Sequence, residues 1–170
     1  EMIARRDELF GFFNSQSFGV ADPVFNKDVG FYVFQYSTLT WLLGLVASGL
    51  LFSLVITVAA AGVRWLGLMA AGRMHSASQI AVRARTIGLV LLGLLVVVFG
   101  ILFWLSRYGL VIGGDEIVAG AGKATRSIDI PTRAVASVVM VLVGVATMLA
   151  AITAIRRQLS RLTLQHVLLI

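Results

Sequence analysis

Three long apolar runs, separated by short polar stretches, dominate the chain. Leu39 to Val63, Thr86 to Ser106 and Ala134 to Ile155 extend for 25, 21 and 22 residues without a charged side chain. Each is long enough to carry a helix across a bilayer core, for which roughly 20 residues are needed. None shows the polar stripe that a helix of a water-soluble protein turns to solvent. In the middle run 15 residues are Leu, Ile, Val or Phe, each favouring insertion by about 0.3 to 0.6 kcal/mol at the helix centre. The pattern predicts an all-α integral membrane fold: three transmembrane helices, part of a larger polytopic bundle.

The stretches between the runs carry weaker signals. Residues 2–14 mix Ile3, Leu9, Phe10, Phe12 and Phe13 with Arg5, Arg6, Asp7 and Glu8, which suits an interfacial helix or the tail of an earlier span. Gly19 to Gly30 contains Asp22-Pro23, a turn signal, because Pro pushes its predecessor out of the helical region and Asp bonds the backbone that follows. Trp65, Leu68, Met69 and Ile80 stand among arginines between Arg64 and Arg85, as expected of a connection lying along headgroups. Leu110 to Ile112 and Glu116 to Ala119 flank Gly113-Gly114 and predict a small β-hairpin-like loop. Pro131 then restarts the chain into the third run.

Charge supplies the direction. Arg64, Arg73, Arg83 and Arg85 crowd the first connection, and Arg156, Arg157 and Arg161 follow the third run, in both cases without an acidic residue. The front segment is mixed, with Glu1, Asp7, Glu8, Asp22 and Asp28 against Arg5, Arg6 and Lys27. Basic residues are retained on the cytoplasmic side. The expected organisation is therefore an extracytoplasmic interfacial segment at 1–38, a span at 39–63 and a cytoplasmic basic loop at 64–85. A span at 86–106, an extracytoplasmic loop at 107–133, a span at 134–155 and a cytoplasmic tail or next element at 156–170 complete it. Aromatic residues agree, since Phe31, Tyr32, Phe34, Tyr36 and Trp41 gather at one outer boundary and Phe103, Trp104 and Tyr108 at another.

Composition narrows the function classes. The 170 residues are 59% hydrophobic and 13% charged, with a net charge of +6 and a mean hydropathy of +0.96. The basic excess sits at the edges of apolar runs instead of forming an aromatic-interleaved patch, so nucleic acid is not an expected partner. With no cysteine, thiol chemistry and disulfides are excluded for this chain. His75 and His166 stand far apart and lack a neighbouring carboxylate, which leaves no catalytic set in sequence. Neither an enzyme nor a cofactor or metal is expected, although Asp22, Asp28, Asp115, Glu116 and Asp129 could hold a cation if they met. Gly120 to Thr125 only superficially suggests a phosphate loop, because Ala124 replaces the hydroxyl residue that must follow the lysine.

The spans hold no ionisable residue of the kind that coupled carriers keep at membrane depth. They carry small and hydroxyl residues instead. Gly44 and Ser48 lie one turn apart, Gly93 and Gly100 one heptad apart, and Gly144 stands in the third run, positions suited to close helix packing.

Two blocks carry a family resemblance. Phe18-Gly19-Val20-Ala21-Asp22-Pro23-Val24-Phe25-Asn26-Lys27-Asp28-Val29-Gly30-Phe31-Tyr32-Val33-Phe34 is the first. The second is Phe103-Trp104-Leu105-Ser106-Arg107-Tyr108-Gly109-Leu110, followed by Val118-Ala119-Gly120-Ala121-Gly122 and Ile130-Pro131. In order and spacing they resemble a bacterial multi-pass membrane family catalogued as uncharacterised protein family number 182, of actinobacterial and cyanobacterial type, in its middle transmembrane region. Where that family continues with Leu-Pro-Phe, this chain has Gln35-Tyr36-Ser37. The resemblance implies further spans and a large extracytoplasmic domain, and it marks Asp22, Pro23, Phe25, Asp28, Gly30, Phe31, Tyr32, Trp104, Arg107, Tyr108, Gly120, Gly122 and Pro131 as a structural motif. It implies no particular chemistry.

The expected role is a membrane-anchoring and scaffold segment of a larger bacterial envelope protein in the inner or plasma membrane. The alternative is a set of scaffold helices around a transport pathway built by other spans. Expected partners are membrane lipids, further helices of the same protein or a second copy, and envelope proteins.

Overall fold

The computed structural model describes residues 10–14, 16–112 and 125–167, apart from the side chains of 155 and 157–167. A π-helical turn at Phe31–Tyr36 leads into α1, Ser37–Ala70. Helix α2 spans Met74–Ile112, and a second π-helical turn at Thr125–Asp129 leads into α3, Ile130–Val167. The three helices contain 34, 39 and 38 residues, and at 1.5 Å per residue they measure about 50 to 60 Å. That exceeds a bilayer core of about 30 Å, so each apolar run is the middle of a longer helix. Chain chemistry accounts for the continuity: the runs contain no proline, and Pro131 sits in the first turn of α3, where a missing N–H is harmless.

The break between α1 and α2 is tight. Gly72 adopts φ +71°; its N–H donates to Met69 O at 3.0 Å, and the Arg73 N–H donates to Leu68 O at 2.9 Å. This pair of bonds is the Schellman ending, which requires a residue in the left-handed region and favours glycine there. The Arg73 carbonyl then accepts the Ala77 N–H at 3.0 Å and opens α2. The basic connection at 64–85 is thus helical on both sides of a three-residue turn, Ala71 to Arg73.

The expected β-hairpin is corrected. Leu110 to Ile112 form the last residues of α2, and among the described residues the extended pairing is the isolated antiparallel bridge between Ala21 and Asp28. Extending a running helix gains one backbone bond for each residue fixed, whereas a strand needs a partner for its bare N–H and C=O groups. Glu116 to Ala119, Gly113-Gly114, Gly120 and Gly122 lie outside the described residues, as does most of the expected interfacial helix; of that segment, residues 10–13 are helical.

Two compact units are present. One comprises residues up to Val46 together with Val98–Val139; the other comprises Ala47–Val97 together with the chain from Met140. In the first, Thr38 and Ser137 are fully buried, and Arg133 Nη1 donates to the Ser106 carbonyl at 3.1 Å and to its hydroxyl at 3.0 Å. In the second, Gly93 of α2 and Gly144 of α3 meet backbone to backbone. A Cβ on Gly93 would lie 2.7 Å from Gly144 O, and one on Gly144 would lie 2.6 Å from Gly93 O. Neither glycine has room for a Cβ at that crossing, where Met148 and Val97 also pack, as in close helix contacts between small residues.

Candidate functional site

Within the first unit the two sequence blocks of the motif come together. The first block begins as a loop shaped by its carboxylates. Asp22 Oδ2 accepts the Phe25 N–H at 2.7 Å, and the Asp22 carbonyl accepts the Asn26 N–H at 2.8 Å. Pro23 presets this turn, and Asn26, at φ +52°, occupies the left-handed region that its short polar side chain tolerates. The Ala21–Asp28 bridge closes it, with Asp22 N–H donating to Lys27 O at 2.8 Å and Val29 N–H to Val20 O at 3.0 Å.

Asp28 fastens this loop to the segment before it. Its carboxylate accepts the Ser17 hydroxyl at 2.6 Å and the N–H groups of Phe18 at 3.0 Å, Gly19 at 2.9 Å and Gly30 at 2.7 Å. Led by the Ser17 bond, these donors hold its pKa down at about 2. Gly30 is required by a close approach, because a Cβ there would stand 2.6 Å from Gln16 O.

The π-helical turn then presents Phe31 and Tyr32. The buried Tyr32 hydroxyl donates to Asp22 Oδ2 at 3.0 Å, so one carboxylate oxygen holds the turn and the start of the helical segment together. Tyr108 of the second block faces three rings of the first: Phe25 at 4.7 Å, Phe31 at 5.2 Å and Tyr32 at 6.5 Å between centroids, all inclined. Inclined rings at these separations attract beyond simple burial. Arg107 lies 3.4 Å over Trp104, with Tyr108 at 5.1 Å and Phe25 at 5.6 Å. Its Nη2 donates to the Tyr108 hydroxyl at 3.3 Å, whereas its buried Nε has no hydrogen-bond partner among the described residues. Lys27 sits 5.6 Å over Phe31. The cluster is a cation–π and aromatic clasp between the loop and α2.

The remaining candidates are placed as follows. Pro131 lies in the first turn of α3, outside this clasp. Gly93 and Gly144 are in contact, Gly100 is buried, and a Cβ on Gly44 would have nothing within 4 Å. Ser48 is exposed on α1. Arg64, Arg73, Arg83, Arg85 and Arg156 are exposed, while the side chains of Arg157 and Arg161 lie outside the described residues. His75 and Gln79 hydrogen-bond at 3.0 Å on the surface of α2. Among the described residues no group of three or more His, Cys, Asp or Glu could hold a metal. Both carboxylates of the loop are engaged by N–H and O–H donors, so the cluster binds structure together.

Sequence reasoning missed the Ser17 bond, the Arg133–Ser106 contact and the fit of the Tyr36 hydroxyl against Gly109, where a Cβ would stand 2.5 Å away. It also passed over Gly72, although a glycine just beyond an apolar run is a helix-end signal.

The family described as Uncharacterised protein family (UPF0182) matches residues 2–170. The chain belongs to UPF0182. Among curated UPF0182 proteins it is 32% identical over 142 residues to one from Paenarthrobacter aurescens, covering 83% of this chain and 14% of that protein. It is 33% identical over 138 residues to one from Kocuria rhizophila, covering 79% and 13%, and 30% identical over 135 residues to one from Corynebacterium jeikeium, covering 78% and 13%. This UPF0182 chain thus spans about a seventh of the length of the relatives it matches. No solved structure matches it. Its three helices are long and apolar enough to cross a membrane, in keeping with a membrane segment of this family.

Proposed function

We propose that this chain is the membrane-anchoring and scaffold segment of a larger bacterial envelope protein, and that it holds an extracytoplasmic domain against the bilayer. The observation that carries the reading is the distribution of apolar surface. The three membrane-length windows bury 6%, 22% and 17% of their residues within this chain. Phe52, Val55, Ile56, Leu142 and Val143 are among the large side chains left exposed. Such faces are satisfied by lipid and by further helices of the same protein or of a second copy.

Scaffold, in preference to conduit, fits the absence of ionisable residues from the three runs. Arginine asymmetry supports a location in the inner or plasma membrane, with the N-terminal segment outside and the C-terminus cytoplasmic. Envelope proteins are the partners such a segment would meet outside. In this reading the segment itself performs no catalysis. Single cysteines at Ser48, Ser53 and Thr147 of the full-length protein test it. A scaffold leaves them unreactive to a small aqueous thiol reagent in cells, while reaction at two or more would reveal a water-filled route and favour a transport pathway.

A further inference from the structure

The second unit contains an apolar groove with an arginine among its lining residues. Leu54, Val58 and Ala61 of α1 and Arg85, Gly88 and Leu92 of α2 line a space of about 350 Å³ whose walls are almost entirely carbon. Small residues create it: a Cβ on Gly88 would meet only Leu54 Cδ1, at 3.9 Å. The exposed Arg85 is one of the lining residues, and Arg64 follows Ala61 by three positions, on the same helix face. From Val29 to Gly114 the chain has no acidic residue to neutralise these arginines.

We propose that this groove binds one acyl chain of an anionic phospholipid, with the lipid phosphate on Arg85. The inference rests on the membrane reading above. An apolar helix laid along the groove would trap the Arg85 charge against hydrocarbon, which is costly. A phospholipid instead brings its own anion to the level of the guanidinium, and the planar fork of arginine suits phosphate. The Arg85 stem covers apolar wall while its head reaches the headgroup layer.

The test uses the full-length protein reconstituted in vesicles of phosphatidylcholine that contain a photoactivatable phosphatidylglycerol with the reactive group in its acyl chain. Flotation of the protein with the vesicles after an alkaline wash is scored first; failure to float overturns the membrane reading and the site with it. In floated protein, labelling should map to Leu54–Ala61 and Ala84–Leu92. Unlabelled phosphatidylglycerol should compete with it, and phosphatidylcholine and inorganic phosphate should not. Arg85→Gln should weaken labelling about fivefold or more, the factor that corresponds to about 1 kcal/mol for one basic residue facing anionic lipid. Gly88→Leu, whose Cβ would meet only the flexible end of Leu54 and whose side chain would occupy the groove, should abolish labelling in protein that still floats and elutes as the wild type does. Equal labelling by a phosphatidylcholine analogue, indifference to Arg85→Gln, competition by free phosphate, or protection of both segments by another part of the protein would each overturn the proposal.

Discussion

Asp28 concentrates four hydrogen bonds from Ser17, Phe18, Gly19 and Gly30 on one carboxylate, and this makes the fold of the motif loop sensitive to acid. Its pKa falls from 3.8 to about 2. A carboxylate depressed on folding contributes stability above its unfolded value and loses it as pH falls through the folded one. The contribution should be full above about pH 4 and fade between pH 4 and 2. Thermal unfolding followed by intrinsic fluorescence across that range should show a falling midpoint. Asp28→Asn, which keeps an acceptor oxygen but cannot ionise, should flatten the acid limb that the wild type shows. An acid limb equally steep in both proteins would show that other groups set it. The turn chemistry of Asp22-Pro23 was legible in sequence because it acts within a few residues. The pairing of Phe25 with Tyr108 was not, since the two lie 83 positions apart and a helical period identifies faces, not the partners that cover them.

Helices were the most legible elements, because length, hydropathy and the absence of charge all point the same way over 20 or more residues. Their ends were less so. Arginines between Arg64 and Arg85 read as loop composition, yet arginine is a good helix former, and α1 and α2 run on through these residues until Gly72 ends α1. The β-branched Val111 and Ile112 likewise suggested a strand, but helix propagation from α2 overrides that local preference. Small residues were informative only in part. The Gly93–Gly144 crossing admits no Cβ, whereas Gly44 has open space around it. Gly93→Ala and Gly144→Ala should each destabilise the helix pair by about 1 to 3 kcal/mol, because backbone atoms of the facing helix, which cannot rotate away, obstruct the new Cβ together with Met148 Cγ and Val97 Cγ2. Gly44→Ala should be neutral or mildly stabilising through helix propensity. Detergent-solubilised protein titrated with denaturant provides the measurement, and similar losses at all three positions would contradict the assigned crossing.

At the scale of the whole molecule, membership of UPF0182 and three membrane-length helices define a membrane segment that represents about a seventh of its relatives' length. Its faces are mostly apolar and exposed, which leaves room for lipid and for more helices. Its one elaborate side-chain cluster among the described residues holds a loop to α2 through Tyr108 and Arg107. The central proposal is that these helices cross the membrane with the arginine-rich turn on the cytoplasmic side and the motif loop on the other. Single cysteines at Val20, Ser127 and Ser78, each exposed, test it most directly in the full-length protein stripped of any other cysteine. In intact cells an impermeant thiol reagent should modify Val20→Cys and Ser127→Cys, and should reach Ser78→Cys only after permeabilisation. Labelling of Ser78→Cys in intact cells with the other two protected would contradict the orientation, and labelling of all three would contradict the membrane crossing itself.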